Sequence, residues 1–395
     1  MRLPSGFLAS GIHAGIRKDK SRPDLGLIVA PGGVPAAAVF TRNRFLAAPV
    51  VLAKAGLKAS GGRVTAVVVN AGCANAVTGR EGMAAARRVR RRAAELAGCP
   101  ENEVFPASTG VIGVVLPDEL VLRALPGSFA RLSASGMDAI SHAILTTDVG
   151  PKVVQASFVR EERRIRVVGF AKGAGMIHPD MATMLAFVLT DAPAEPGFLK
   201  AALRRASDAS FNAISVDGDT STNDTLLLMA SGKGGGTTMT SLDGEEAFVG
   251  ALTKVCRELA WKIVRDGEGA SRVMEIVVTG ARSDREARLA AHAVGTSPLV
   301  KTALAGGDPN WGRILAAVGR SGARFAASKV SLAAGRIVLV KDGQPAPYAE
   351  KDAAKVFSLE RVPLRIDLGA GSGSALLLAA DLGHDYVTLN ADYRT

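Results

Sequence analysis

The residue composition of one central segment differs on the two sides of its proline, Pro179. The segment is Lys172-Gly-Ala-Gly-Met-Ile-His-Pro-Asp-Met-Ala-Thr-Met-Leu-Ala186. The residues before Pro179 are rich in glycine, whereas residues 181–189 are almost wholly apolar. An apolar run of this length without polar alternation predicts a strand buried on both faces. Thr183 falls within the run, and its residue type alone indicates only a β-branched side chain in a strand.

Short strands and helices alternate on both sides of this segment. Strands separated by Gly and Pro turns are predicted at residues 25–30, 37–40 and 64–70, a strand with a turn at 104–116, and a hairpin at 153–170. Helices are predicted at residues 80–97, 117–145, 196–210 and 244–265. This alternation favours a layered α/β architecture in which helices cover the faces of the sheets.

Composition and sequence patterns argue against a membrane protein, a secreted protein and a metal-binding or disulfide-bonded scaffold. No apolar run approaches the roughly 18 residues of a membrane span, and the first residues lack a secretory h-region, so we expect a cytoplasmic protein. Cys73, Cys99 and Cys256 are far apart and form no C-x-x-C pair, which argues against a disulfide framework and a structural zinc site. The five histidines show no metal-pair spacing, and we expect no metal.

The chain is basic, with 48 Lys and Arg against 37 Asp and Glu and a net charge of +11. Its densest basic stretch lies in one predicted helix and comprises Arg87, Arg88, Arg90, Arg91 and Arg92. No aromatic platform accompanies these arginines, so we interpret the helix as a solvated face rather than a nucleic-acid surface. A phosphate-binding helix is the less favoured interpretation.

Three loops begin like cofactor or metal motifs and then depart from them. Residues 364–374 look like the first loop of a methyltransferase, but too few residues follow to build that fold, so we predict a bend between strands. Lys233 lies among glycines, yet a phosphate loop needs Gly where Leu227 stands. Residues 217–224 begin like a calcium loop, yet Leu228 occupies the position of its Glu, so we predict a tight polar loop.

The central segment does resemble one family closely. From Lys172 to Leu185 it is similar to the pattern K-G-[SA]-G-M-I-x-P-[ND]-M-A-T-M-L of the bifunctional ornithine acetyltransferase/N-acetylglutamate synthase family. Similar segments follow the family's order along nearly the whole chain: residues 6–18, 40–43, 47–50, 70–79, 108–113, 146–148, 216–224, 266–270, 308–313 and 390–395. Asp180 and Cys73 stand where the family often has Asn. We interpret Cys73 as a small buried side chain rather than a second nucleophile.

The resemblance implies an N-terminal-nucleophile-like αββα sandwich that cuts itself. Family members are cleaved at the bond corresponding to Ala182–Thr183, which predicts two chains, 1–182 and 183–395. Attack of the Thr183 hydroxyl on the preceding carbonyl gives an ester, and its hydrolysis releases an α-amine on Thr183. That amine has a pKa of about 8 and can act as the base for its own hydroxyl.

The resemblance also implies the reaction, which belongs to arginine biosynthesis. Thr183 would take the acetyl group of N2-acetylornithine and pass it to glutamate, while Thr109 and Gly110 form the oxyanion hole. The substrate-binding residues implied by position are Thr146, Lys172, Thr183, Glu268, Asn390 and Thr395. We expect Lys172 to pair with a substrate carboxylate and Glu268 with the amine of ornithine.

The resemblance does not determine whether acetyl-CoA is a second acetyl donor. Some family members also accept acetyl-CoA, and no residue in this sequence separates the two classes. No resident cofactor, nucleic-acid partner or membrane partner is expected, and the cleaved chains are expected to assemble as α2β2. The alternative is an N-terminal-nucleophile aminopeptidase or amidohydrolase, in which water takes the acyl group; Lys172, Glu268 and Asn390 favour acetyl transfer.

Overall fold

The computed structural model describes residues 1–178 and 184–392. Within these ranges the strands are β1 (Leu8–Ile12), β2 (Leu25–Phe40), β3 (Arg63–Cys73), β4 (Val104–Val111), β5 (Lys152–Arg160), β6 (Arg163–Lys172), β7 (Leu185–Thr190), β8 (Ile214–Ser215), β9 (Thr225–Ala230), β10 (Val273–Ala281), β11 (Ser331–Ala334), β12 (Ile337–Lys341), β13 (Gln344–Pro345), β14 (Arg361–Asp367) and β15 (Gly373–Ala380).

The helices of the same ranges are α1 (Ala48–Ala59), α2 (Gly79–Ala97), α3 (Asp118–Ala130), α4 (Met137–Ala143), α5 (Pro196–Asp208), α6 (Glu246–Arg265), α7 (Asp284–Gly295), α8 (Pro298–Ala305), α9 (Trp311–Gly319), α10 (Glu350–Phe357) and α11 (His384–Asp392). They confirm the helices predicted near residues 80–97, 196–210 and 244–265. The predicted helical region 117–145 is divided between α3 and α4.

The first sheet has the strand order β4-β3-β2-β9-β7-β6-β5, with β1 also paired to β2. Strand β2 pairs with β3 along its first part and with β9 along its second. Between Val29 and Val34 its register shifts, and Gly32 and Gly33 there have positive φ angles, which glycine adopts at little cost. The turn predicted between residues 30 and 37 is therefore wrong, because this segment is a bulge within one continuous strand.

The two halves of this sheet pack face to face. Val67 of β3 and Phe105 of β4 share one buried cluster with Phe170 of β6 and Phe187 of β7. The rings of Phe170 and Phe187 stack with centroids 5.2 Å apart. Since alternate residues of a strand point to opposite faces, the remaining apolar positions of each half need cover on the outside.

Helices provide that cover on both outer faces. Val89 of α2 and Val121 of α3 are buried in one cluster with Val68 of β3. On the other side, helices α5 and α6 pack in one cluster with Val188 of β7 and Leu228 of β9. The layers thus follow the order helix, sheet, sheet, helix, which confirms the predicted αββα sandwich.

The second sheet has the strand order β13-β12-β11-β14-β10-β15-β8. Residues of α7 to α10 form a separate buried cluster with its strands. The glycine-rich loop near residues 368–372 connects β14 to β15, as predicted for a bend between strands.

The arginine-rich helix α2 is engaged in ion pairs. Arg88 donates two hydrogen bonds to Asp118, at 2.6 and 2.9 Å, and Arg91 donates one to Glu101 at 3.1 Å. These contacts support the interpretation of α2 as a solvated structural face. Over residues 1–178 and 184–392, we find no helix that combines the length and the apolarity needed to cross a membrane.

Candidate active site

The site lies at the edge of the apolar core between the two sheet halves, where polar residues follow the apolar ones along the strands. Along β4, Phe105 and Ala107 belong to the inner cluster, and the next residue on that face is Thr109. Along β6, Phe170 belongs to the same cluster, and the next residue on that face is Lys172. Both polar residues are buried, and Lys172 Nζ donates a hydrogen bond to Thr109 Oγ1 at 3.4 Å.

A cavity of about 220 Å³ opens at this point. Its lining includes every predicted site residue that the structure describes: Thr109, Gly110, Thr146, Lys172, Glu268 and Asn390. The structure thus brings six residues together that are spread over 282 positions of sequence, while their individual roles stay predictions. Ala182, Thr183 and Thr395 lie outside the described residues.

Asp148 organises the cationic side of the cavity. It is buried, and it accepts hydrogen bonds from Lys152 Nζ at 2.6 Å and from the Gly173 amide at 2.6 Å. It also accepts one from the Thr146 amide at 3.0 Å. Burial alone would raise the pKa of Asp148, but the charges of Lys172 and Lys152 outweigh it and hold the pKa well below its usual range.

Lys172 is itself almost fully buried. Burial lowers its pKa, and the negative charge of Asp148 opposes that shift. A cation enclosed in this way has few water molecules to compete for it. It is therefore suited to bind an anionic group of a ligand.

Gly110 has a conformation and a position that only glycine satisfies without strain. Its φ is +129°, and a Cβ atom there would lie 2.3 Å from the carbonyl carbon of Gly72. The pair Gly72–Gly110 belongs to the β3–β4 ladder, which is irregular at Cys73. The backbone next to Thr109 is consequently held in an unusual geometry at the cavity wall.

Glu268 and Asn390 line the cavity together. The Asn390 amide donates a hydrogen bond to Glu268 Oε2 at 2.9 Å, which ties α11 to the turn after α6. The Glu268 amide donates to the carbonyl of Ala174 at 2.9 Å. The carboxylate also lies against Gly175, where an added Cβ would come within 2.6 Å of it.

Asp217 lines the cavity but was not predicted as a site residue. Its carboxylate accepts hydrogen bonds from the amides of Met176 and Ile177, at 2.5 and 2.9 Å. Burial raises its pKa to about 6. The sequence did predict a polar loop at residues 217–224, but it gave no sign that this loop holds the segment after Lys172.

Charge is distributed unevenly around the cavity. Lys172 and the acidic residues Glu268, Asp217 and Asp219 all belong to the lining. Burial raises the pKa of Tyr386, another lining residue, to about 12, and the nearby carboxylates of Asp217 and Glu268 act in the same direction. Among the described residues, the lining of the cavity therefore combines the cationic Lys172 with three carboxylates.

Cys73 is buried, and its Sγ atom donates a hydrogen bond to the carbonyl of Val114 at 3.3 Å. Burial raises the pKa of this thiol, which disfavours the nucleophilic thiolate. These observations support its interpretation as a packing residue. Across the described part of the chain, no three His, Cys, Asp or Glu side chains are grouped so that they could hold a metal ion.

The whole-chain comparison identifies the family. The ArgJ family model matches residues 8–395. The chain belongs to the ArgJ family. This confirms the family predicted from the central segment, and it makes the chain an ArgJ-family enzyme of arginine biosynthesis.

Curated members of the ArgJ family match over nearly their full length. The arginine biosynthesis bifunctional protein ArgJ of Chlorobaculum tepidum is 45% identical over 392 residues, which are 99% of this chain and 96% of that protein. The protein of the same name from Thermus thermophilus is 46% identical over 397 residues, covering 100% of both chains.

A solved ArgJ structure has a shorter chain. The crystal structure of the Bacillus halodurans protein is 41% identical, with a TM-score of 0.51, and the match covers 52% of this chain but 98% of that one. The solved chain is therefore about half as long as this one. A solved ornithine acetyltransferase of Mycobacterium tuberculosis, complexed with ornithine, is 30% identical over 46% of this chain and 94% of its own, but its TM-score of 0.39 is too low to bear on the fold.

Proposed function

We propose that this ArgJ-family enzyme is a glutamate N-acetyltransferase that uses Thr183 as its nucleophile. It cuts itself between Ala182 and Thr183, takes the acetyl group of N2-acetylornithine, and passes that group to glutamate. The observation that carries the proposal is the cavity, whose lining combines the buried Lys172 with the carboxylates of Glu268, Asp217 and Asp219. Lys172 is paired in the sheet with Leu185, the second residue after Thr183 in the sequence.

The charges of the cavity match the proposed donor. N2-acetylornithine carries a carboxylate and a side-chain ammonium at neutral pH. Lys172 would bind the carboxylate, and Glu268, held by Asn390, would bind the ammonium. At about 220 Å³ the cavity lies below the usual range of roughly 300–1,000 Å³ for ligand pockets, which fits a small amino acid better than a peptide.

The proposed chemistry starts with the Thr183 α-amine. The amine removes the proton of its own hydroxyl as Oγ attacks the acetyl carbonyl, and the tetrahedral oxyanion is stabilised by Thr109 and Gly110. The C–N bond then breaks, and ornithine leaves with the proton from the α-amine. Glutamate's amine attacks the acetyl-Thr183 ester, and the hydroxyl of Thr183 is regenerated.

Residues from both sides of the proposed cut line the same cavity. Thr109, Gly110 and Lys172 precede the cut, and Glu268 and Asn390 follow it. The cleaved chains must therefore stay associated for the site to be complete, and we propose an α2β2 assembly. The half-length chain of the Bacillus halodurans structure supports a division of the chain near its middle.

The proposed reaction needs no resident cofactor, because the acetyl group is carried by Thr183. Acetyl-CoA is a second candidate donor, and it would acylate the same hydroxyl. Acceptance of acetyl-CoA would make the enzyme an N-acetylglutamate synthase as well.

Isotope exchange tests the proposed reaction. Purified enzyme is incubated with N2-acetylornithine and labelled ornithine, first without glutamate and then with it. A covalent acetyl-enzyme predicts that label enters N2-acetylornithine without glutamate, and that N-acetylglutamate forms once glutamate is added. A parallel sample with acetyl-CoA and glutamate measures the second donor.

Two results would contradict the proposal. Acetate released at the same rate with and without glutamate would favour the hydrolase alternative, because water would then be the acceptor. Formation of N-acetylglutamate without any ornithine exchange would argue against the covalent intermediate.

A further inference from the structure

Lys301 is a buried cation that connects the second sheet to the loop carrying Asp217. It lies on α8, and its Nζ atom donates hydrogen bonds to the carbonyl of Val216, at 2.6 Å, and to that of Ala380 at the end of β15. The Lys301 carbonyl accepts a hydrogen bond from the Leu382 amide at 3.2 Å. Removing an ammonium from water is unfavourable unless other groups compensate for it, and these two carbonyls do so in part.

The backbone that Lys301 binds is itself bound to one wall of the cavity. The Val216 amide donates a hydrogen bond to the Ile177 carbonyl at 2.7 Å, and the Asp217 carboxylate accepts hydrogen bonds from the amides of Met176 and Ile177. Met176 lines the cavity, and its φ of +57° is a left-handed conformation that residues with a side chain rarely adopt. The Asp217 carboxylate therefore stabilises a turn of the wall that is unfavourable by itself.

The charges of Lys301 and Asp217 also depend on each other. Burial lowers the pKa of Lys301 to about 8, and the negative charges of Asp217 and Asp381 oppose that shift. Attraction between two charges is mutual, so the ammonium of Lys301 favours the ionised form of Asp217. Burial nevertheless raises the pKa of Asp217 to about 6. Both groups are therefore mainly charged between about pH 6 and about pH 8.

We propose that Lys301 is a positioning residue for the substrate cavity, whose ammonium holds the Val216 carbonyl and keeps Asp217 in place as a carboxylate. That carboxylate then fixes residues 176–177 and adds negative charge to the site. The inference rests on the proposed function, in which the cavity binds the ammonium of ornithine. Among the described residues that line the cavity, Lys301 is absent, so its effect on a ligand passes through Val216 and Asp217.

Other charged and titratable groups surround this pair. They come from the loop of Asp217, the segment before Pro179, the turn after α6, helices α7 and α11, and the end of β15: Asp219, His178, Glu268, His292, Tyr386 and Asp381. A histidine side chain ordinarily titrates near pH 6.5, close to Asp217. Asp217 therefore has to be distinguished from His178 and His292 in any titration.

Lys301→Met removes the charge and both side-chain hydrogen bonds but keeps an unbranched side chain. Asp217 then loses its nearby cation, so its pKa should rise further. The matched control is Val300→Ala, at the preceding position of α8. Val300 is buried in the core of the second sheet and carries no charge, so its truncation disturbs the packing of the same helix without changing the charges.

The experiment measures the affinity of the purified enzyme for ornithine by titration calorimetry from about pH 5 to about pH 7.5, together with thermal unfolding. Ornithine's own ionisation is the same for every variant, so differences between the curves come from the protein. We expect wild-type affinity to rise with pH around a midpoint near 6. Lys301→Met should move that midpoint upward by about one pH unit, which weakens binding up to about tenfold below it.

Two further comparisons assign the effect. Val300→Ala should keep the wild-type midpoint even if it unfolds at a lower temperature. In an Asp217→Asn background, Lys301→Met should no longer move any midpoint, because the group on which it acts cannot titrate. If Lys301→Met does not fold, Lys301→Gln takes its place, since it keeps an N–H donor but has no charge.

The outcomes separate the inference from the function on which it rests. An unchanged midpoint in the folded Lys301 variant overturns the positioning role, and so does an equal displacement in Val300→Ala. A displacement that persists in the Asp217→Asn background would belong to a histidine and overturns it as well. Wild-type enzyme that does not bind ornithine at any pH would instead refute the proposed function.

Discussion

Lys172 and Asp148 form a buried ion pair, with Lys172 Nζ 3.9 Å from Asp148 Oδ2 and side chains that are 5% and 0% exposed. Asp148 is bound more closely by Lys152, at 2.6 Å, and Lys152 also contacts Asp266 at 2.5 Å. Two lysines therefore share two aspartates. Lys152 lies closer to Asp148 than Lys172 does, and Lys172 makes only the longer contacts to Asp148 at 3.9 Å and to Thr109 Oγ1 at 3.4 Å among the described residues. Its ammonium, which has three N–H donors, can therefore also bind an anion in the cavity.

Replacing Lys172 with Met should impair function without unfolding the protein. The Met side chain keeps most of the apolar stem, while the buried charge and its desolvation cost are removed. We predict that kcat/KM for N2-acetylornithine falls about ten- to a hundredfold, since a hydrogen bond to a charged group contributes about 1.5–3 kcal/mol. The measurements are steady-state kinetics and thermal unfolding.

Lys152→Met is the contrasting variant. Lys152 bridges Asp148 and Asp266, so its loss leaves buried carboxylates without their closest cation. We predict a clear loss of thermal stability for Lys152→Met and little loss for Lys172→Met. The reverse order would show that Lys172, rather than Lys152, stabilises Asp148.

The stability contributed by Asp148 should depend on pH. Its pKa is lower in the folded protein than the value of about 3.9 in an unfolded chain, so its contribution is present above that value and is lost as the pH falls toward the folded pKa. We predict that Asp148→Asn is less stable than wild type by about 3 kcal/mol at neutral pH.

Urea unfolding measured from neutral pH to about pH 3 checks this prediction. The free energies of unfolding of wild type and Asp148→Asn should converge as the pH drops below about 4. A stability difference that stays constant over this range would mean that the charge of Asp148 is not the cause.

Glu268 should determine the affinity for a cationic substrate. In Glu268→Gln the side chain keeps its size and can still accept the hydrogen bond from Asn390, but it carries no charge. We predict that KM for N2-acetylornithine rises about tenfold or more while kcat changes little, because a charge-assisted contact becomes a neutral one. A neutral analogue of the donor serves as the control, and its KM should be the same for both proteins.

Gly175 should be intolerant of a side chain for a functional reason. A Cβ atom there would lie 2.6 Å from the Glu268 carboxylate, which would have to move. We predict that Gly175→Ala raises KM for the donor as Glu268→Gln does, and that the double variant is no worse than either single one. Additive effects of the two changes would show that Gly175 acts independently of Glu268.

Periodicity and motifs made the layered fold and most of its elements predictable. The hairpin β5–β6 and helix α2 follow local patterns that tertiary contacts did not override. The continuity of β2 was not predictable in this way. Pro31-Gly-Gly33 has the composition of a turn, and it stays within a strand only because β3 and β9 pair with the segments on either side.

The site was predicted in part, by resemblance. The six described residues came from positions in family motifs, and the structure places them around one cavity. The backbone hydrogen bonds that Asp148, Asp217 and Asp224 accept could not be predicted in the same way. Each binds backbone amides that are 25 to 41 positions away in the sequence, so its role depends on how strands and loops are placed in three dimensions.

The most direct test of the account is the intact mass, under denaturing conditions, of purified wild-type protein beside Thr183→Ala. The account predicts two wild-type fragments that together make up the chain, one of them beginning at Thr183, and a single full-length Thr183→Ala chain. Brief exposure to N2-acetylornithine should then add the mass of one acetyl group to the fragment that begins at Thr183. A single uncut chain in both samples after long incubation would contradict the account, because Thr183 would then have no free amine.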